Sequence, residues 1–100
     1  MTPEKQRVAI AEACGWKWER LWTGELHGKP VGEQGPFREL PDYLNDLNAM
    51  HEAEESLHGN QYVEYTNLLI EIEGSLFGIR ATAAERAEAF LKTLNLWIKS

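Results

Sequence analysis

The sequence predicts an α+β domain: a small antiparallel sheet of two to three strands packed with about four helices in a layered sandwich. Three observations lead there. Four segments carry helix start and stop signals around apolar stripes, one segment alternates with the period of a strand, and glycine and proline crowd residues 23–36.

The first helix is expected over residues 3–14. Thr2 is the N-cap, Pro3 takes the first helical position, and Gly15 supplies a left-handed stop. Its apolar arc gathers Val8, Ile10, Ala11, Ala13 and Cys14, with Arg7 inside it and Glu4, Lys5 and Glu12 mostly outside. In the following Trp16-Lys17-Trp18-Glu19-Arg20-Leu21-Trp22 segment, the tryptophans share one parity, so three would line one face of a strand. Glycines at 24, 28, 32 and 35, with Pro30 and Pro36, then make a hairpin or long loop, in which Leu26-His27 and Lys29-Pro30-Val31 can hold a short returning strand.

Pro41 opens a second helix, expected to reach about Leu57. Tyr43, Leu44, Leu47, Met50 and Leu57 fall on one side of its wheel, and Asp42, Asn45, Asn48, Glu52 and Glu55 on the other. His51 and Glu54 land on the apolar side. Over Gln61–Glu73, Leu68, Ile70 and Ile72 alternate like a strand, but Glu64, Asn67 and Glu71 form a helical polar stripe, with Asn60 as cap and Gly74 as stop, so a helix fits more positions. Ser75–Arg80 is a strand candidate. Thr82-x-x-Glu85 is a capping box that starts the last helix, whose stripe runs Ala83, Ala87, Phe90, Leu91, Leu94 and Trp97.

One hundred residues, 43% hydrophobic and 26% charged, suit one soluble globular domain. The single cysteine, Cys14, excludes an intrachain disulfide and a multi-cysteine zinc site, and points to a reducing compartment. The amino terminus lacks the apolar run of a signal peptide, and no stretch approaches the ~20 apolar residues of a membrane span. A cytoplasmic protein with no membrane partner is expected. Ten basic residues against sixteen acidic ones, a net charge of −6, disfavour general nucleic-acid binding, which depends on many phosphate contacts from Lys and Arg.

The strings Leu40-Pro-Asp-Tyr-Leu-Asn-Asp-Leu-Asn-Ala-Met-His-Glu-Ala-Glu54 and Ala81-Thr-Ala-Ala-Glu-Arg-Ala-Glu-Ala-Phe-Leu91, with Leu96-Trp97 and Ala11-Glu-Ala-Cys-Gly-Trp16, resemble the phage ABA sandwich domain family. That resemblance implies a phage or prophage origin, hence a bacterial host cytoplasm, and a layered α/β sandwich. It implies no biochemical activity, so it carries over no catalytic residues.

No catalytic motif stands out. His51-Glu52-Ala53-Glu54-Glu55 lacks the second histidine of a zinc-protease helix, and the glycines of residues 24–35 neither precede a Lys-Ser or Lys-Thr pair nor open a helix. His51 and Glu54 read as a structural pair, and Cys14 as a small core residue. No metal and no cofactor are expected.

Arginine forks grip phosphates and aromatic rings stack on bases, which makes Arg7, Trp18, Arg20, Tyr65, Arg80 and Arg86 the candidate ligand-binding residues. On this basis the chain is a non-catalytic module that sequesters a small anionic, nucleotide-type immune signal. A structural role for these residues, with arginines pairing acids such as Glu54, is the alternative at each position. The second functional reading is a protein-interaction module that inhibits a host factor or serves phage assembly, using the face of Asn45, Asn48, Glu52 and Glu55 with Trp22, Phe37 and Tyr43 as anchors. Four tryptophans in so short a chain suit a homo-oligomer. Arginines that converge beside an open aromatic favour the first reading, and dispersed, acid-paired arginines favour the second.

Overall fold

The computed structural model describes residues 1–74 and 81–99. Among them the chain forms an α+β domain of four helices and a three-stranded antiparallel sheet. The strand candidate at Ser75–Arg80 lies outside the described residues.

Helix α1, Pro3–Ala13, begins where the Thr2 hydroxyl accepts from the Lys5 amide at 3.2 Å. Gly15, at φ +86°, turns the chain directly into β1, Trp16–Arg20. β1 pairs with β2, Leu26–Pro30, in the register Trp16↔Pro30 to Arg20↔Leu26. The hairpin closes through two 2.8 Å hydrogen bonds, Leu21 N–H to the Glu25 carbonyl and Gly24 N–H to the Leu21 carbonyl, with Gly24 at φ +92°. The chain has therefore turned before Trp22. Only Trp16 and Trp18 lie on the strand, and Trp22 stands at the hairpin tip, 98% exposed, rather than on a sheet face.

Side chains alternate across the sheet. Trp16, Trp18 and Arg20 share a face with Leu26, which is buried, and this face turns toward α1: the Trp18 indole donates to Glu12 at 2.7 Å, and Arg20 donates to Glu4. The sheet's third strand, β3 (Arg38–Glu39), pairs with β2 at Gly28 and His27. Its two residues give too short an alternation for a sequence pattern to reveal.

The second helix begins later than Pro41. One turn forms at Asp42, where the Asn45 and Asp46 amides donate to its carbonyl at 3.1 and 2.8 Å. Asp46 then adopts an extended conformation and caps α2, Leu47–Glu54, its carboxylate accepting from the Asn48 and Ala49 amides at 2.9 and 3.4 Å. A carboxylate aimed at free amides is a stronger start signal than a proline that merely tolerates the first turn.

Helix α3 spans Asn60–Glu73, with Gly59 rather than Asn60 at the cap position and Gly74, φ +83°, at its end. Helix α4, Ala83–Thr93, opens on the expected capping box: Thr82 Oγ1 accepts from the Glu85 amide at 3.1 Å, and the Glu85 carboxylate accepts from the Thr82 amide at 2.9 Å. It ends in a Schellman turn. Asn95 sits at φ +59°, its amide donates to the Lys92 carbonyl at 3.1 Å, and the Leu96 amide reaches back to Leu91 at 2.8 Å.

Helix α4 is the hub, packing against α1, α2 and α3. Its Ala87, Ala89, Phe90 and Leu91 are fully enclosed, with Ile10 of α1, Met50 of α2 and Tyr65 of α3 among the buried residues of the same core. No helix among the described residues is long and apolar enough to cross a membrane.

Candidate interaction surface

Arg7 points from α1 across to the chain that leaves β3. Its Nε donates to the Pro41 carbonyl at 2.9 Å, a terminal nitrogen donates to the Leu40 carbonyl, and Glu39 lies at 3.6 Å. Inside its apolar stripe the arginine is partnered, its guanidinium satisfying two part-buried main-chain carbonyls. Arg20 is bound to Glu4, whose carboxyl is held below the usual carboxylate range by that contact, and also donates to the Gly24 carbonyl at 3.2 Å.

Arg86 belongs to a third cluster. From α4 it donates to Glu54 of α2 at 3.2 Å and to the Ala81 carbonyl at 3.2 Å, and both side chains are largely buried. The Tyr65 hydroxyl of α3 donates to the same Glu54 oxygen at 2.5 Å. Burial, reinforced by Glu54, pushes the Tyr65 phenol well above its ordinary range, so it is held as the protonated donor. His51 completes the group, 4.0 Å from the other Glu54 oxygen.

These arginines line three different cavities: Arg7 lies with Asp42 and Leu26, Arg86 with His51 and Tyr62, and Arg20 with Trp18. Tyr65, named as a stacking platform, is 2% exposed and has no open ring face; the aromatic that borders the Arg86 cavity is its neighbour Tyr62. Arg80 lies outside the described residues. Of the five described positions, Trp18 and Arg20 share a cavity.

The anchors proposed for a protein face are also redistributed. Tyr43 is buried at 3% exposure, while Phe37 is partly open with the Lys29 ammonium 5.8 Å over its ring, and Trp22 is free. Cys14 is half-buried, 3.8 Å from the Ser56 hydroxyl, and burial raises its thiol above the ordinary range, which makes it a poor nucleophile at neutral pH.

Among the described residues, an apolar concavity lies between α1, β1 and the tail that follows α4. Val8 and Ala9 line its α1 side, Trp18 lines its β1 side, and Leu96 and Ile98 its tail side, enclosing about 390 Å³. Ile98 is 62% exposed, so apolar surface is open to solvent here. Glu4, Lys5, Glu12 and Arg20 form its charged rim. The Schellman turn creates this groove by folding Leu96 back toward Leu91 instead of letting α4 run on. The candidate binding residues read from the sequence include Trp18 and Arg20 of this groove but not Leu96 or Ile98. The available signal was Asn95, a residue that tolerates the left-handed region, followed by the apolar run Leu96-Trp97-Ile98 beyond the helix end.

No protein-family model matches the sequence, and no curated protein and no solved structure matches it. The resemblance to the phage ABA sandwich family rests on the residue strings alone.

Proposed function

We propose that this chain is a non-catalytic protein-interaction module, and that its groove of Val8, Ala9, Trp18, Leu96 and Ile98 receives an apolar segment of a protein partner. The observation that supports this over nucleotide sequestration is the state of the arginines. Arg7, Arg20 and Arg86 face separate cavities, and each already has an acidic or carbonyl partner, whereas an anion pocket draws several free donors to one point.

The groove supplies the opposite composition, an apolar centre with a charged rim, which is the anatomy of a protein-docking site. With a net charge of −6, the fitting partner presents aliphatic side chains flanked by Lys or Arg, the flanks speeding association and setting orientation. The family resemblance adds the expectation that the partner is a host factor or a phage assembly component.

A photocrosslinking amino acid at Ile98, expressed in bacterial cells, tests the reading. One protein species is expected to crosslink, to be lost in a Val8→Glu variant of unchanged circular dichroism, and to persist in Tyr62→Ala, which alters the Arg86 cavity at an exposed position. A purified protein that carries stoichiometric nucleotide lost on Arg20→Ala would overturn it, as would crosslinking indifferent to Val8→Glu.

A further inference from the structure

Among the described residues strand β1 is an edge of the sheet, and the hydrogen bonds of the hairpin reveal which of its amides face outward. In an antiparallel pair, alternate residues exchange bonds with the neighbouring strand and those between them point away. The register extends to Leu21, which donates to Glu25, and to Gly15, which accepts from Val31 at 2.7 Å. Pro30, opposite Trp16, has no N–H to give. The odd residues Lys17 and Glu19 therefore bond to β2, and the main-chain groups of Trp16, Trp18 and Arg20 point off the edge. Among the described residues nothing is hydrogen-bonded to those outward groups.

We propose that this edge pairs with β1 of a second copy of the chain, antiparallel and centred on Trp18, to make a two-fold dimer with a continuous six-stranded sheet. The strand sequence Trp-Lys-Trp-Glu-Arg is self-complementary in this register. Trp18 meets Trp18 of the partner subunit on the axis, Trp16 meets the partner's Arg20, and Lys17 meets the partner's Glu19. Outward groups then pair with outward groups at all three even positions, giving roughly six main-chain hydrogen bonds. Trp16 already packs with one guanidinium, that of Arg38 at 4.9 Å, on the β3 side, and the partner's Arg20 approaches from the other.

The neighbouring registers are blocked. A slip by two residues sets Lys17 against Lys17 in one direction and Glu19 against Glu19 in the other, and like charges directly opposite are unfavourable. A slip that mixes odd with even residues loses the hydrogen bonds. The charges that would deter a random edge partner thus favour one partner in one register.

Charge reversal at two exposed positions tests the register directly. Native mass spectrometry and light scattering over a concentration series should show a dimer for the unmodified chain. Lys17→Glu and Glu19→Lys, with unchanged circular dichroism, should each weaken it by about tenfold or more, since each sets like charges opposite each other. Mixing the two variants should restore association as a heterodimer, because every charge then faces its opposite, and the double variant K17E/E19K should dimerise by itself. A monomer throughout the series would overturn the proposal. So would a dimer that both single variants leave intact, or one that the mixture fails to restore.

Discussion

The Tyr65 hydroxyl and the Glu54 carboxylate, from α3 and α2, meet at 2.5 Å over the N-terminal turn of α4, where Arg86 reaches the same carboxylate oxygen. One carboxylate thereby ties three helices. A hydrogen bond to a charged acceptor contributes about 1.5–3 kcal/mol. Tyr65→Phe should lower the unfolding free energy by about 2 kcal/mol, measured by urea denaturation at pH 7.

The same contact makes stability fall in alkali. A phenol whose pKa is raised on folding keeps its proton where the unfolded chain has lost it, so its contribution is complete below the ordinary value of about 10 and declines as pH rises beyond it. Tyr43, also raised by burial, acts in the same direction. Denaturation between pH 8 and pH 11 should show a decline in the unmodified chain, and Tyr65→Phe should make it shallower.

Arg86→Met should cost more than Tyr65→Phe. It leaves the Glu54 carboxylate in a largely buried site without its ion-pair partner, and breaking such a pair costs about 3 kcal/mol. The expected readout is a lower urea midpoint with an unchanged slope.

At Gly28, the close approach of β1 forbids a side chain. A Cβ built there meets the Lys17 carbonyl oxygen at 2.1 Å and Trp18 Cα at 3.0 Å, both main-chain atoms that cannot swing aside. Gly28→Ala should displace β1 from β2 at a cost of about 2 kcal/mol. Loss of hydrogen-exchange protection at Lys17 and Glu19 would mark the damage as local to the hairpin.

Thr82→Ala should cost about 1 kcal/mol by removing half of the capping box, and Asp46→Ala a similar amount at α2. Pro41→Ala should fall within about 0.5 kcal/mol, because Pro41 lies outside the helix it was expected to start. Thermal melts of the three variants check the ranking.

Local signals made most of the fold legible. Thr2-Pro3, Gly15, Gly74 and the Thr82–Glu85 box act within a few residues of themselves, and their helices stand where those residues predict. The misses share a cause in competition between neighbouring signals. Asp46 overrode Pro41 at α2, the turn at Gly24 ended β1 before Trp22, and β3 is a two-residue pairing dictated by β2. Apolar periodicity also could not separate Tyr65, sealed beneath Glu54, from Tyr62 at the surface one turn earlier. The groove was hidden for a different reason: its walls come from opposite ends of the chain, brought together by the left-handed turn at Asn95.

The position of α4 as hub has a kinetic side. It follows every other described element in chain order, yet α1, α2 and α3 all rest on it. During vectorial synthesis the three earlier helices emerge before the surface they need, so the hairpin and the α3 turns can form early while the core waits for Phe90 and Leu91. Until α4 has emerged, the apolar faces of α1, α2 and α3 lack the surface that closes over them, so completion of this core waits on the last of the four described helices.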